Sequence, residues 1–154
     1  MDYVVALTIA DVKRIAGRTN TKPESFIDFS SVDRMEFKCP DVRVDGGYFY
    51  MTLRRDERGC CIFSVLSGDD IKCSIHGSHP LPCRIYPYTE AGGKVVHRRK
   101  FRCERKWDMD KENLDRVRGL LDLREKEIRE YEPVAREWNA LGGGSRRDFL
   151  SFIF

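Results

Sequence analysis

The residues Gly59 to Tyr88, GCCIFSVLSGDDIKCSIHGSHPLPCRIYPY, concentrate the unusual side chains of this 154-residue chain. They hold four of the six cysteines, two of the three histidines and three of the six prolines. The prolines around Cys83 fix the backbone, because each one locks φ and lacks an amide donor. Such a loop holds thiol and imidazole groups in place without a helix or strand. The stretch therefore predicts a cysteine-rich loop layer beside the main core.

Within this stretch, cysteines recur at similar intervals next to a histidine. Cys61, Cys73 and Cys83 follow this spacing, and His76 comes three residues after Cys73. Thiolates and imidazoles are the ligands that zinc and iron–sulfur clusters take in proteins. A single cysteine is more often a small buried hydrophobic residue. As a group beside a histidine, these residues favour metal ligation over that alternative.

Three short motifs carry a family resemblance: CIF at 61–63, CSIH at 73–76 and CRIYP at 83–87. Upstream, LTIAD at 7–11 has the form L-T-x-x-D, and FRC at 101–103 supplies a later cysteine. Over roughly residues 4–107 the pattern resembles the YkgJ-type cysteine-cluster family, the CxxCxxCC zinc- or iron-chelating domain. The resemblance implies zinc or an iron–sulfur cluster as cofactor. It implies the following ligands, with the histidine in reserve: Cys61, Cys73, Cys83, Cys103 and His76.

The chain also departs from the family pattern. The CxxCxxCC run of the family would precede Leu7, and no cysteine stands there. His79 occupies the position of a family arginine, while Cys39 and Cys60 are extra to the pattern. Each absent thiolate removes a metal bond and its charge compensation. We therefore expect weak or partial metal binding, which an upstream extension carrying the run should raise.

The amino-acid composition limits the classes of protein to which this chain can belong. With 41% hydrophobic and 34% charged residues, the chain is typical of one globular domain. No run approaches the roughly 18–20 apolar residues of a membrane span. The beginning of the chain lacks a signal-peptide pattern, so we expect a cytoplasmic protein, whose reducing surroundings favour metal-bound or redox-active cysteines. A net charge of +3 is too small to imply nucleic acid. The basic run 94–106 is expected to be a solvated edge strand, and a protein partner stays open.

The residue pattern predicts a single α+β domain. Its parts are N-terminal helices, a small antiparallel sheet, the cysteine-rich loop layer and a long C-terminal helix. Thr8 and Asp11 approximate a capping box for a helix that should stop at Gly17. A second short helix is expected over 23–28. Runs of β-forming residues predict strands within 34–39, 48–53, 60–65 and 94–101.

The last part of the chain is expected to be helical. Apolar residues step by three and four from Leu114 to Trp138, which predicts a helix over 108–141. Pro133 should kink or split this helix. Residues 1–141 would form the main body, with a core at 4–107. Residues 142–154 would be a flexible glycine joint and a short docked helix capped by Ser145.

Three functional hypotheses follow from the sequence. The favoured one is a metal-binding protein that is accessory rather than catalytic, because G-x-S-x-G, P-loop and G-x-G-x-x-G motifs are absent from the chain. A Cys83–His76 nucleophile pair, with Arg84 lowering the thiol pKa, lacks a visible partner to orient the base. The resemblance implies the second hypothesis, a relative of iron–sulfur lysine N-methylases. The third is an apo structural protein with buried or disulfide-paired cysteines.

Overall fold

The computed structural model describes residues 4–34, 37–68, 70–97 and 110–154. Within these ranges the chain has mixed α and β structure with a long helix near its end, so the predicted α+β class is confirmed. Two short 3-10 turns, Pro23–Ser25 and Val32–Arg34, flank the first strand. The regular elements are α1 Ile9–Thr19, β1 Ile27–Ser31, β2 Val42–Val44, β3 Gly47–Leu53, β4 Ser64–Ser67, β5 Asp70–Cys73, α2 Leu81–Ile85, β6 Tyr88–Ala91, β7 Lys94–His97, α3 Lys111–Ala140 and α4 Arg146–Ile153.

A three-stranded antiparallel sheet in the order β1-β3-β2 forms one side of the core. Strand β3 confirms the strand predicted over 48–53. It pairs with β2 across a two-residue turn at Asp45 and Gly46, both at positive φ. Such a turn pairs the residues on its immediate flanks. The strand that forms a hairpin with β3 is therefore β2 and not the predicted run 34–39, whose described residues 34 and 37–39 are outside any strand.

Helix α1 begins with the predicted capping box. The Asp11 amide donates to the Thr8 hydroxyl at 3.1 Å, and the Thr8 amide donates to the Asp11 carboxylate at 3.1 Å. The expected stop at Gly17 is wrong, because the helix continues to Thr19. It ends where Asn20 adopts the left-handed conformation with φ of 52°. An interior glycine costs a helix only about 1 kcal/mol, whereas a left-handed residue terminates it.

The expected second helix over 23–28 is also wrong. A 3-10 turn is followed by β1, in which Ile27 and Phe29 face the core and Asp28 faces solvent. This alternation has the period of a strand. Ile27 pairs with Leu53 and Phe29 with Met51, so pairing with the central strand overrides the helix signal of Pro23.

Helix α3 crosses the core as one uninterrupted helix of 30 residues. Pro133 therefore does not split it. Pro133 lies on the exposed face, where water can satisfy the carbonyl that proline leaves without a donor. The predicted apolar stripe faces inward through Val117, Tyr131, Ala135 and Trp138.

The chain end docks on this core as the sequence predicts. Ser145 and Asp148 form a capping box for α4, and the buried Phe149 packs 5.4 Å from Trp138 between ring centres. The preceding glycines lie against β2. The Asp45 amide donates to the Gly144 carbonyl at 2.9 Å, and a Cβ at Gly143 would collide with the carbonyl oxygen of Arg43. The glycine connection is thus packed against the sheet edge.

Two separate hairpins, β4–β5 and β6–β7, complete the described structure. The turn between β6 and β7 falls at Gly92 and Gly93, as expected. Strand β7 covers the first residues of the predicted strand 94–101, and the remainder lies outside the described residues. Among the described helices, none combines the length and apolar character needed to cross a membrane.

Candidate metal centre

The base of the β4–β5 hairpin carries two of the predicted ligands. Cys61 forms an isolated bridge with Arg55, three residues before β4 begins. Ser64, the first residue of β4, pairs with Cys73, the last residue of β5. The Ser64 amide also donates to the Cys61 carbonyl at 2.8 Å. These backbone contacts hold Cys61 and Cys73 on the same end of the hairpin.

The third predicted ligand, Cys83, lies on the short helix α2. Its amide donates to the Pro80 carbonyl at 2.9 Å, which closes the first turn. Leu81, the first residue of α2, is fully buried, and its amide donates to the Asp11 carboxylate at 2.9 Å. The first amides of a helix have no acceptor within the helix, and a carboxylate that accepts a hydrogen bond from one of them satisfies that amide. Asp11 thereby fixes the beginning of α2, the helix that carries Cys83.

Asp11 belongs to a buried ionic network that joins α1 to α3. The Arg14 guanidinium contacts Asp11 at 2.7 Å and Glu127 at 2.8 Å, and the Thr8 hydroxyl donates to Glu127 at 2.9 Å. Burial lowers the pKa of Arg14, but its hydrogen bonds to Glu127 and Asp11 outweigh that effect and raise the pKa overall. The network therefore fixes α1, α2 and α3 relative to one another.

The electrostatics of the thiols place the three cysteines in one neighbourhood. Burial raises the pKa of Cys83, negative charge on Cys61 and Cys73 adds to the rise, and together they bring it to about 12. Burial likewise raises the pKa of Cys61, with a smaller contribution from Cys73. Charge interactions of this kind weaken with distance. The three cysteines are therefore close enough for their charges to interact, and Cys83 is a protonated thiol at neutral pH.

Polar groups of the segment that follows Cys61 act on its thiol. The neighbouring residues Phe63 and Ser64 lower the thiol pKa against the larger effect of burial, which raises it overall. Polar donors near a sulfur favour its anionic form, the form that binds a metal. These groups therefore offset part of the cost that burial imposes on a Cys61 thiolate.

The reserve ligand His76 is exposed and stacks on His79, with ring centres 5.1 Å apart. The Gly77 amide donates to Nδ1 of His79 at 3.1 Å. Burial lowers the pKa of His79, and positive charge on His76 and Arg84 lowers it further. His79 is thus neutral and already accepts one hydrogen bond, so its Nε2 is the nitrogen left for other contacts.

The fourth predicted ligand, Cys103, lies outside the described residues. Within 4–34, 37–68, 70–97 and 110–154, no three His, Cys, Asp or Glu side chains converge closely enough to hold a metal ion. The five described cysteines are free thiols. Cys61, Cys73 and Cys83 are therefore neighbours without forming a closed ligand cage.

Two charged residues of α3 were not predicted to take part in the site. Glu127 is only 5% exposed and belongs to the ionic network. Arg124 sits near two thiols, and its charge lowers the pKa of both Cys39 and Cys83 against the dominant effect of burial. A detectable signal was present, since steps of four, three and four residues lead from buried Leu120 through both positions to Tyr131.

Comparisons of this chain with family models, with curated proteins and with solved structures produced no match. The resemblance to the YkgJ-type family therefore stays a prediction from the motifs.

Proposed function

We propose that this protein binds a thiophilic metal, zinc or an iron–sulfur cluster, through Cys61, Cys73 and Cys83, with Cys103 as the fourth ligand. In this proposal the metal has a structural or accessory role. The observation that carries the proposal is the shared neighbourhood of three thiols, two of which the backbone contacts of Ser64 hold at the same end of the hairpin.

The chemistry of these donors fits such a metal. Thiolates select zinc, copper(I) and iron–sulfur clusters over magnesium or calcium, which prefer oxygen ligands. Zinc sites of the structural class take four ligands at about 2.3 Å for sulfur. The described thiols supply three of these, and the exposed His76 is an additional candidate next to Cys73.

A metal at this position would connect elements that share few other contacts. Cys61 and Cys73 lie at the base of a hairpin whose strand residues are all exposed, whereas Cys83 lies on a helix anchored by Asp11. An isolated two-stranded hairpin is marginally stable in water. The bound metal would tie the hairpin to α2, and through Asp11 to the core.

The raised thiol pKa values disfavour the nucleophile hypothesis. A cysteine nucleophile acts as the thiolate and needs a lowered pKa. Burial instead raises the pKa of Cys83 to about 12, so the Cys83–His76 pair lacks the required thiolate near neutral pH. This supports an accessory role over a cysteine-based enzyme.

The competing function is that of a structural protein whose cysteines stay as thiols. The open spacing of the described ligand atoms and the free state of the five described cysteines favour it. In that case the three thiols would behave as small apolar groups packed beside the core. Metal analysis separates the two functions.

The experiment is cobalt titration of the reduced protein and of single cysteine-to-serine variants. Cobalt bound to thiolates is coloured, so the spectrum reports sulfur ligation directly. We expect the thiolate band in the native protein, with affinity at least about tenfold lower in Cys61→Ser, Cys73→Ser and Cys83→Ser. Cys60→Ser is the matched control, since Cys60 is the exposed neighbour of Cys61.

The outcomes separate cleanly. A band that survives in Cys60→Ser and fades in the three site variants supports the proposal. A protein that shows no thiolate band at any excess of cobalt refutes it and leaves the structural alternative. Anaerobic purification then identifies the native metal, because an iron–sulfur protein is brown and a zinc protein is colourless.

A further inference from the structure

A groove distinct from the cysteine neighbourhood runs between α3, α2 and the segment before α1. Its volume is about 290 Å³. The lining is largely apolar and includes Ala6, Pro82, Ile85, Leu121 and Ile128, with the aromatic Tyr86 and Tyr88 beside them. Binding pockets for small molecules have this composition, and their volumes begin at about 300 Å³. The groove is therefore the size of a single-ring ligand.

The half-buried cation Arg124 lines this groove from α3. Its Nη1 atom is buried and lacks a hydrogen-bond partner. The guanidinium of Arg124 forms no salt bridge with a carboxylate of the described residues. Arg14, in contrast, contacts two carboxylates. A buried guanidinium donor without an acceptor is strongly unfavourable. A group that persists in this state is expected to serve a ligand.

Charges at the rim restrict the kind of anion. Glu90 and Glu125 line the groove and are exposed, as is Lys38. Glu125 is 3.6 Å from Arg129, so its charge is partly compensated. Two carboxylates beside the guanidinium of Arg124, with only the exposed Lys38 as a second cation, disfavour a dianion such as a phosphate monoester. A monoanion with an apolar body matches both the charge and the lining.

We propose that the groove binds a small monocarboxylate with an apolar, ring-sized body, whose carboxylate pairs with the guanidinium of Arg124. The guanidinium fork matches a carboxylate in geometry, and the pairing satisfies the buried Nη1 donor. The ring then lies along Leu121, Ile85 and Ile128. None of the lining residues is a proposed metal ligand, although the charge of Arg124 acts on the Cys83 thiol, so a binding test on metal-free protein keeps the two proposals distinguishable.

The test is a titration with benzoate of the reduced, metal-free full chain, followed by amide NMR. We expect saturable shifts at the amides of Leu121 and Ile128. The neutral isostere benzamide should bind at least about tenfold more weakly, since a charged hydrogen bond contributes roughly a tenfold to hundredfold gain. Inorganic phosphate should also bind more weakly than benzoate.

Two charge-removing variants of the same helix supply the comparison. Arg124→Gln should weaken benzoate binding by at least about tenfold, whereas Arg136→Gln, on the exposed face of α3, should leave it within about twofold. Without ligand, Arg124→Gln should melt at the same temperature as the native protein or higher, because it removes a charge that has no carboxylate partner among the described residues and a buried donor without an acceptor.

Each opposite result overturns the proposal. Absent benzoate shifts at millimolar concentration, equal binding of benzamide, or equal weakening in both variants would each do so. A large loss of thermal stability in Arg124→Gln would show that the guanidinium has a structural partner in the chain. Preferential binding of phosphate would replace the carboxylate by a different anion.

Discussion

The main core and the β4–β5 hairpin are stabilised in opposite ways. In the core, Leu7, Phe26 and Phe149 are fully buried between the sheet, α1, α3 and α4. In the hairpin every strand residue is exposed, including Leu66 at 75% and Ile71 at 69%. The core is held by apolar burial that the sequence supplies by itself. The stability of the hairpin therefore depends on the interactions at its base, where Cys61 and Cys73 lie.

The largest predicted effect comes from Phe26, which connects the two regions. Its fully buried ring lies 6.0 Å from the ring of Phe63, two residues after Cys61. We expect Phe26→Ala to lower the free energy of unfolding by about 3–5 kcal/mol, since it removes apolar contacts and leaves a cavity. Leu66→Ala in the exposed hairpin should change it by less than about 0.5 kcal/mol. Urea denaturation measures both. Similar losses in the two variants would contradict the contrast between core and hairpin.

The next effect concerns Asp11, which accepts hydrogen bonds from Thr8 and Leu81 and contacts Arg14 at 2.7 Å. Asp11→Asn keeps the shape but removes the buried charge, and we expect a loss of about 3 kcal/mol in unfolding free energy. The control is Glu130→Gln, which breaks an exposed pair with Lys126 and should cost less than about 1 kcal/mol. Chemical denaturation of both variants checks this. Equal, small effects would show that the network does not hold α2.

A third prediction tests whether the hairpin needs the metal. If zinc binds at its base, the free energy of opening should rise by about 2.7 kcal/mol when free zinc is a hundredfold above Kd. Hydrogen exchange at the amides of Val65 and Lys72 measures this, and the Phe29 amide in the core is the internal reference. Cys73→Ser should abolish the zinc-dependent protection and Cys60→Ser should keep it. Protection that is the same with and without zinc contradicts the proposal.

The fourth prediction is an alkaline loss of stability. Burial raises the pKa of Cys39 from its ordinary value of 9.0 to about 12, and its thiol donates to the Leu7 carbonyl at 3.5 Å. The folded chain therefore holds this proton more tightly. The contribution of the protonated Cys39 thiol to stability is complete below pH 9 and is lost as the pH rises toward 12. The free energy of unfolding falls by up to about 1.4 kcal/mol per pH unit in this range. Unfolding free energies between pH 8 and 11 should fall less steeply in Cys39→Ala. Parallel slopes in the two proteins would contradict the burial of this thiol.

Local signals explain which parts of the fold could be predicted. The apolar spacing from Leu114 to Trp138 and the capping residue Ser145 are local sequence signals, so α3 and α4 could be predicted from them. Residues 23–28 carry a helix signal, but pairing of β1 with β3 decides their structure. That pairing depends on residues 18 to 26 positions away along the chain, which local patterns do not report.

The candidate site divides in the same way. The spacing of Cys61, Cys73 and Cys83 indicated that these thiols belong together, because clustered ligands recur within a short stretch. The support beneath them was not foreseen. The contact between Asp11 and the Leu81 amide joins residues seventy positions apart, and Glu127 completes the network from α3. Such contacts follow from packing of helices, not from spacing along the chain.

X-ray absorption spectroscopy of the zinc-loaded, reduced protein tests the central claim most directly. The proposal predicts a first coordination shell dominated by three or four sulfur atoms at about 2.3 Å. Cys83→Ser should lose one sulfur from that shell, while Cys60→Ser should leave it unchanged. A shell made only of oxygen and nitrogen atoms, or a shell that is the same in Cys83→Ser, would contradict a metal centre built on these cysteines.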